Sequence, residues 1–213
     1  MAVQHRFTDV TAGDLAVAGD PDRLAARRRA VVDAPWTWLR QVHGARVVVV
    51  TEPGEHAGTE ADAAVTAIPG AAVAVHTADC APVLLLADGA VGVAHAGWRG
   101  LLAGVVEATA AALADLGHPP RSAVLGPCIR PRCYEFGPGE LDLVADRYGP
   151  AVRAQTAWGA PALDVAAGVA AACAALDVPL VDHGTCTACS PVHWSHRARA
   201  DRGRQALVAW VAP

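Results

Sequence analysis

The sequence predicts a mixed α/β fold, a layered sandwich in which a mixed β-sheet is flanked by helices. Short β-branched runs alternate along the chain with Ala-rich segments of helical length, the pattern of an α/β protein. Hydrophobic residues make up 53% of the chain and charged residues 18%, a balance that excludes disorder. A length of 213 residues fits a single domain, so we expect residues 1–213 to form one.

In the first half of the chain, turn and cap residues delimit the predicted elements. Asp20-Pro21 opens a helix over residues 24–32. A triple arginine within it, Arg27-Arg28-Arg29, is expected on a solvated face. Asp88-Gly89 is a hairpin turn signal between two apolar runs. The strands predicted around it are residues 46–51, 72–75 and 83–87.

In the second half, the clearest helix covers residues 101–116, with Gly117 as its C-terminal cap and Pro119-Pro120 beyond. The remaining predicted elements are strands at 123–125 and 205–211 and helices at 139–148 and 162–176. The longest apolar stretch, 165–176, is shorter than the roughly 20 residues of a membrane span, so it predicts a buried helix.

Charge and cysteine content limit the classes of partner. With 17 basic and 21 acidic residues the net charge is −4, which offers no general field for nucleic acid or a membrane surface. The N-terminal residues show no apolar secretory segment, so a cytoplasmic protein is expected, acting as a monomer or weak homodimer. In that compartment the six cysteines are core residues, metal ligands or reactive thiols rather than disulfides.

Polar, metal-competent residues interrupt apolar strands at three places: Gln41–Gly44, His76–Pro82 and His95–Gly100. Within them His43, Cys80 and His95 form a plausible Zn²⁺ ligand set that leaves a fourth position open, as in catalytic zinc sites. The alternative is that Cys80 is a small core residue and both histidines are turn residues with satisfied hydrogen bonds.

The third segment also predicts an anion site. Gly97 and Gly100 allow close backbone approach, and the helix that follows offers free N–H groups. Arg99 adds a bidentate donor at the same place. Phosphate or a carboxylate is the expected guest.

Five motifs between Gln41 and Gly137 carry a resemblance: QVHG, EADAAVT, TADCAPVLLLAD, VAHAGWRG and LGPCIRPRCYEFG. They resemble a bacterial family known as multicopper polyphenol oxidase (laccase), peptidoglycan editing factor and purine nucleoside phosphorylase. The resemblance implies zinc held by His43, Cys80 and His95. It also implies phosphorolysis of adenosine, inosine, guanosine and methylthioadenosine, with possible adenosine deamination, so that a nucleoside and phosphate are the expected partners.

Further site residues are predicted around this ligand set. Cys80, as a thiolate ligand, and Arg99 are expected to take part in catalysis, and Arg99 and Gly97 to bind substrate. Asp62 is either a general acid/base or a capping carboxylate. Gln41 is expected to bind substrate by orienting His43 or a nucleobase; the alternative is that its amide forms a hydrogen bond to the backbone. Asp79 supports the ligand next to it or closes a turn.

His76 is left out of the zinc set because it points to the opposite strand face from Thr77. A second metal set is conceivable at the C-terminal end. Cys186-x-x-Cys189 and His193-x-x-His196 have the residue types of a closed zinc site. Only three residues separate the two pairs, so closure on one ion would be strained. Cys128 and Cys133 are expected to serve structural packing.

Two other enzymatic functions compete with phosphorolysis. A copper oxidase is disfavoured because the chain has no His-x-His pair and Met1 is its only methionine, although copper could occupy the zinc site in vitro. A peptidoglycan-precursor editing hydrolase would use the same metal and anion sites. The N-terminal segment departs from the family, since its arginine–glycine loop is missing or shortened.

Overall fold

The computed structural model describes residues 2–212. Its helices are α1 Pro21–Val31, α2 Trp98–Ala103, α3 Val105–Asp115, α4 Pro138–Tyr148, α5 Val165–Ala175 and α6 His196–Arg199. Its strands are β1 Val3–Phe7, β2 Trp36–Trp38, β3 Val47–Val50, β4 Ala63–Thr66, β5 Ala72–Thr77, β6 Ala81–Ala87, β7 Ala90–Ala96, β8 Ser122–Leu125, β9 Arg153–Gln155, β10 Pro161–Leu163, β11 Leu180–Asp182 and β12 Gln205–Val211. The predicted mixed α/β fold is confirmed.

The central layer is a six-stranded mixed sheet in the order β11-β8-β6-β7-β4-β3. Both faces of its middle strands are buried, which is why β6 and β7 read as nearly continuous apolar runs. Asp88-Gly89 joins them as predicted, with Ala87 paired to Ala90 across the turn. β6 and β7 therefore form an antiparallel hairpin, in which the start of β6 lies beside the end of β7.

A second sheet covers one face of the first. Its order is β1-β12-β5-β2, and side chains from both sheets, such as Val75, Leu84 and Leu207, share one buried cluster. Helices α3 and α5 cover the other face of the six-stranded sheet, packing Val105 and Val169 against it. The predicted layered sandwich is thus confirmed, with a second sheet as an additional layer.

The helix predicted over 101–116 is two helices. Gly104 adopts φ 87°, a left-handed conformation that favours glycine, and it ends α2 and begins α3. The helix predicted over 162–176 begins later, at Val165, because Asp164 caps it by accepting a hydrogen bond from the Ala167 N–H. The residues just before it form β10 instead.

Helix α5 is composed of apolar residues and packs one side, including Val169, against α3 and the sheet, while Ala170 and Ala174 on its other side are exposed. Its 11 residues are too few to cross a bilayer. Within residues 2–212, no helix combines the length and the apolar character that a membrane span requires.

Candidate metal centre

The three polar segments meet at one cavity of about 540 Å³. The end of β5 supplies His76 and Thr77, the turn before β6 supplies Cys80, and the end of β7 supplies His95. The loop between β2 and β3 supplies Gln41 and His43. The hairpin topology brings these chain segments together, because β6 begins where β7 ends.

His43, Cys80 and His95 converge in this cavity, with their ligand atoms within 4.8 Å of one another. Cys80 Sγ lies 3.8 Å from His43 Nε2. A tetrahedral zinc ion with ordinary bond lengths separates a bound nitrogen and sulfur by about 3.6 Å. The convergence of these three side chains fits such an ion.

Asp62 organises two of these ligands while lying wholly buried. One carboxylate oxygen accepts hydrogen bonds from His43 N–H at 2.9 Å and His95 Nδ1 at 2.8 Å. The other accepts from the N–H groups of Val42 at 3.1 Å and Gly44 at 2.8 Å. These bonds hold the His43 loop and fix the His95 tautomer, leaving Nε2 of His95 free for a metal.

The two glycines of the third segment fit tightly against the ligands. A Cβ on Gly97 would lie 2.6 Å from His43 Cδ2 and 3.1 Å from Cys80 Sγ. A Cβ on Gly100 would lie 3.0 Å from the Gly44 carbonyl oxygen. Only glycine permits this approach of α2 to the His43 loop, so these residues shape the site.

The ligands influence one another's ionisation. Burial opposes the Cys80 thiolate, but charge on His95 and a hydrogen bond with His43 outweigh it and lower the pKa of Cys80 to about 6. Burial also opposes the charged form of His95, yet Cys80 and Asp62 raise its pKa to about 9. A thiolate beside two imidazoles is a donor set that suits Zn²⁺.

A model of the multi-copper polyphenol oxidoreductase laccase family matches residues 8–212. The chain belongs to this family. A purine nucleoside phosphorylase of Streptomyces coelicolor is 43% identical over 208 residues, covering 92% of this chain and 86% of that protein. One from Streptomyces griseus is 45% identical over 207 residues, covering 93% and 83%.

Solved structures agree with this assignment. The crystal structure of a Neisseria meningitidis protein of family DUF152 has a TM-score of 0.87 and 28% identity, covering 99% of this chain and 95% of that one. YlmD from Geobacillus stearothermophilus gives a TM-score of 0.80 at 27% identity, covering 93% and 84%. The resemblance predicted from the five motifs is confirmed at the level of the family.

Two of the other predicted site residues, Gln41 and Asp79, form hydrogen bonds that join distant parts of the chain. The Gln41 amide bonds backbone, donating to the His76 carbonyl at 2.8 Å and accepting from the His76 N–H at 2.7 Å, while also lining the cavity. Asp79 accepts hydrogen bonds from the Thr187 hydroxyl and the Arg197 N–H. It therefore ties the turn before Cys80 to the C-terminal segment.

Arg99 is exposed on the first turn of α2, and its guanidinium carbon lies 4.4 Å from the ring centre of Trp98. Within residues 2–212 the arginines that line the cavity are Arg40, Arg202 and Arg204, and Arg99 is not among them. The Nη1 of Arg204 donates to three carbonyls of its own loop, at 2.8 to 3.2 Å, so its guanidinium is held in place.

His76 lines the same cavity, although it is not part of the His43, Cys80 and His95 group, in line with its exclusion from the zinc set. Its ring is buried, and neither ring nitrogen has a hydrogen-bond partner among the described residues. Burial, together with the charges of Arg28, His95 and Arg204, lowers its pKa to about 3. His76 is therefore neutral at pH 7, with a ring N–H that no described residue uses.

The arginine cluster of α1 is a solvated face only in part, because Arg29 is exposed while Arg27 and Arg28 are partly buried. Arg28 lies 4.9 Å from the ring centre of Trp38, and its Nε and Nη2 are buried without a partner in the described structure. Arg27 donates to the carbonyl of Asp14 at 2.6 Å. The expectation fails for Arg28 because the Trp36–Trp38 strand lies under this side of the helix, and a strand of three residues leaves little trace in the sequence.

The conceivable Cys₂His₂ set at the C-terminal end is not assembled. His193 Nδ1 is 2.7 Å from the Ser190 hydroxyl, and His196 lines the cavity of the first site. Cys186 and Cys189 instead meet Cys133. The short connection between the two pairs accounts for this, because it cannot turn both histidines back toward the thiols.

Proposed function

We propose that the protein is a zinc-dependent purine nucleoside phosphorylase that acts on adenosine, inosine, guanosine and methylthioadenosine, with adenosine deamination as a second activity. Family membership and the names of the two Streptomyces relatives support nucleoside phosphorolysis. The observation that carries the proposal is a single cavity that combines the His43, Cys80 and His95 ligands with fixed positive charge.

In this proposal His43, Cys80 and His95 hold the zinc ion. When bound, zinc supplies Lewis-acid polarisation and lowers the pKa of a bound water, which is the chemistry that deamination requires. Asp62 acts as a positioning residue. Burial opposes its charged form, but hydrogen bonds from His95 and from backbone N–H groups outweigh burial and keep its pKa below the usual value. A carboxylate with four donors has neither a proton nor a free oxygen for general acid/base chemistry.

Phosphorolysis breaks the C1′–N9 bond of the nucleoside and forms a bond between C1′ and an oxygen of hydrogen phosphate, and the proton that the phosphate gives up goes to the leaving purine. The chain must therefore bind and orient a phosphate beside the sugar. We assign this role to Arg202 and Arg204 in preference to Arg99, because both line the cavity.

Neutral His76 is suited to donate a hydrogen bond to bound substrate, because its ring N–H has no other partner in the described structure. Donation to the purine or to a ribose hydroxyl would replace the missing contact. Gln41 and Gly97 then act through the shape of the site. Gln41 fixes the His76 backbone, and Gly97, which has no side chain, leaves room for His43 next to Cys80.

A multicopper oxidase mechanism is not favoured, despite the family's description. Such enzymes need several histidine-rich copper sites that exchange electrons. In residues 2–212 only two tight groups of potential ligands occur, one with two histidines and one with none. Three ligands with an open position suit one catalytic zinc ion better.

The proposal is tested on one purified sample. Metal is quantified by mass spectrometry, and the protein is incubated with adenosine with and without phosphate while adenine, hypoxanthine and ribose-1-phosphate are followed by chromatography. We expect zinc in the protein and adenine release that requires phosphate. Zinc without release of base would overturn the phosphorylase assignment and favour the peptidoglycan-precursor hydrolase.

The phosphate site has its own variant pair. Arg202→Gln removes an exposed arginine from the cavity, and it should raise the KM for phosphate about tenfold or more while KM for adenosine changes little. Arg121→Gln is the control, because Arg121 pairs with Asp88 on the surface away from the cavity. Equal phosphate KM values in both variants would exclude Arg202 from phosphate binding.

A further inference from the structure

Three cysteines outside the His-Cys-His site converge at a second place. Cys133 ends the 3₁₀ turn Pro131–Cys133, while Cys186 and Cys189 form a C-x-x-C turn after β11. Their Sγ atoms lie within 4.8 Å of one another, and those of Cys133 and Cys189 are 3.3 Å apart. The two segments are more than 50 residues apart in the sequence, so the tertiary fold creates this cluster.

Two arginines beside the cluster already have other partners. Arg130 pairs with both oxygens of Asp182 at 2.5 and 2.7 Å, and Arg199 Nη1 donates to the Ala188 carbonyl at 3.2 Å. Three sulfurs this close repel one another once charged, and a bound cation relieves that repulsion.

The segments that carry the cysteines are also fixed to each other. Cys128 and Cys186 form a parallel β-bridge, with the Cys128 N–H bonded to the Thr185 carbonyl at 3.2 Å and the Thr187 N–H bonded to the Cys128 carbonyl at 3.1 Å. The Ala157 N–H donates to the Arg132 carbonyl at 2.9 Å beside Cys133. The three thiols are therefore held close before any ion binds.

We infer that Cys133, Cys186 and Cys189 form a second metal site, for a soft d¹⁰ cation, with Zn²⁺ as the ion it takes. A tetrahedral zinc ion separates two bound sulfurs by about 3.8 Å, within the spread of this cluster. Three thiolates leave one position for water or a small anion. Cys133 and Ala188 line a cavity of about 700 Å³ with Trp158 and Arg197, which gives that position a route to solvent.

A disulfide is the competing use of the cluster. It would join two of the cysteines and leave the third idle, and it would need an external oxidant. The observation that favours a metal is that all three sulfurs converge, which a disulfide between two of them would not require.

The test measures zinc per chain by mass spectrometry after full-length reduced protein is equilibrated with Zn²⁺ and dialysed. Wild type should hold two ions. Cys189→Ser should lose one ion and keep phosphorolysis unchanged, Cys80→Ser should keep the ion of the cysteine cluster, and Cys173→Ser should keep both. Cys173 is a buried cysteine of α5 outside both groups, so it controls for loss of a thiol.

A Co²⁺ titration of the Cys80→Ser protein gives a second readout that does not depend on activity. Three thiolates should produce a strong sulfur-to-cobalt charge-transfer band that Cys133→Ser removes. The proposal is overturned if Cys80→Ser binds no zinc and shows no such band. It is equally overturned if intact mass under non-reducing conditions shows a Cys133–Cys189 disulfide and the reduced protein still binds a single ion.

Discussion

Replacing Asp62 by Asn separates a positioning role from a catalytic one. The carboxylate accepts four hydrogen bonds, two on each oxygen. In the variant one oxygen becomes an NH₂ group that faces two N–H donors, so two charge-assisted bonds are lost in a buried place. At about 1.5–3 kcal/mol for each bond to a charged group, the free energy of unfolding should fall by about 3–6 kcal/mol.

The same change should weaken zinc binding. The His95 ring loses the acceptor that fixes its tautomer, and the loop of His43 loses its anchor. Loss of such an outer partner lowers metal affinity by about 10–100-fold. Urea denaturation gives the stability, and competition with a chelating dye gives the zinc affinity.

Asp88→Asn is the matched control, since Asp88 is 73% exposed and pairs only with Arg121 at the surface. Its stability should change by about 0–1 kcal/mol and its zinc affinity not at all. If Asp62→Asn kept wild-type zinc affinity and yet lost phosphorolysis, the positioning account would be refuted. Asp62 would then act on the substrate as a general acid/base.

Three more predictions concern other features of the fold and site. Gly97→Ala should lower the zinc affinity about tenfold or more, because the new Cβ would lie 2.6 Å from His43 Cδ2. Gly139→Ala is the control and should leave the zinc affinity unchanged, because a Cβ there would meet nothing within 4 Å. Equal zinc affinities in the two variants would contradict the tight fit around Gly97. In metal-free protein the His76 ring should show no NMR titration between pH 5 and 8. The pKa of His76 in the folded protein, about 3, lies below the ordinary 6.5, so the contribution of His76 to the free energy of unfolding is complete above pH 6.5 and falls as the pH drops toward 3. An NMR titration midpoint near 6.5 for this ring would contradict the prediction. Gly104→Ala should lower the free energy of unfolding by about 1–2 kcal/mol, since φ is 87° there, and a thermal melt matching that of Gly139→Ala would count against it.

Much of the architecture follows from local pattern. The apolar runs of β5, β6 and β7 and the Asp88-Gly89 turn predict the central hairpin and the point where its polar ends meet. Cys80 precedes β6 and His95 lies near the end of β7, so their approach follows from the hairpin, whereas His43 comes from the loop between β2 and β3 and its position does not follow from the hairpin.

The remaining features depend on distant contacts. Strand β1 was not predicted because its middle residues are exposed and it pairs only with β12, nearly 200 residues later. The break at Gly104 was missed because an isolated glycine is tolerated in many helices. The hydrogen bonds of Asp62 to residues 18 to 33 positions away, and the meeting of Cys133 with Cys186 and Cys189, have no signature in local sequence.

The proposed function places zinc and phosphorolysis in one cavity. Phosphate-dependent adenine release and zinc content are therefore compared in wild type, Cys80→Ser and Cys173→Ser. We expect Cys80→Ser to lose the zinc of this site and its phosphate-dependent adenine release together, and Cys173→Ser to keep both. Wild-type rates of phosphate-dependent release in a Cys80→Ser protein that has lost that zinc would contradict it.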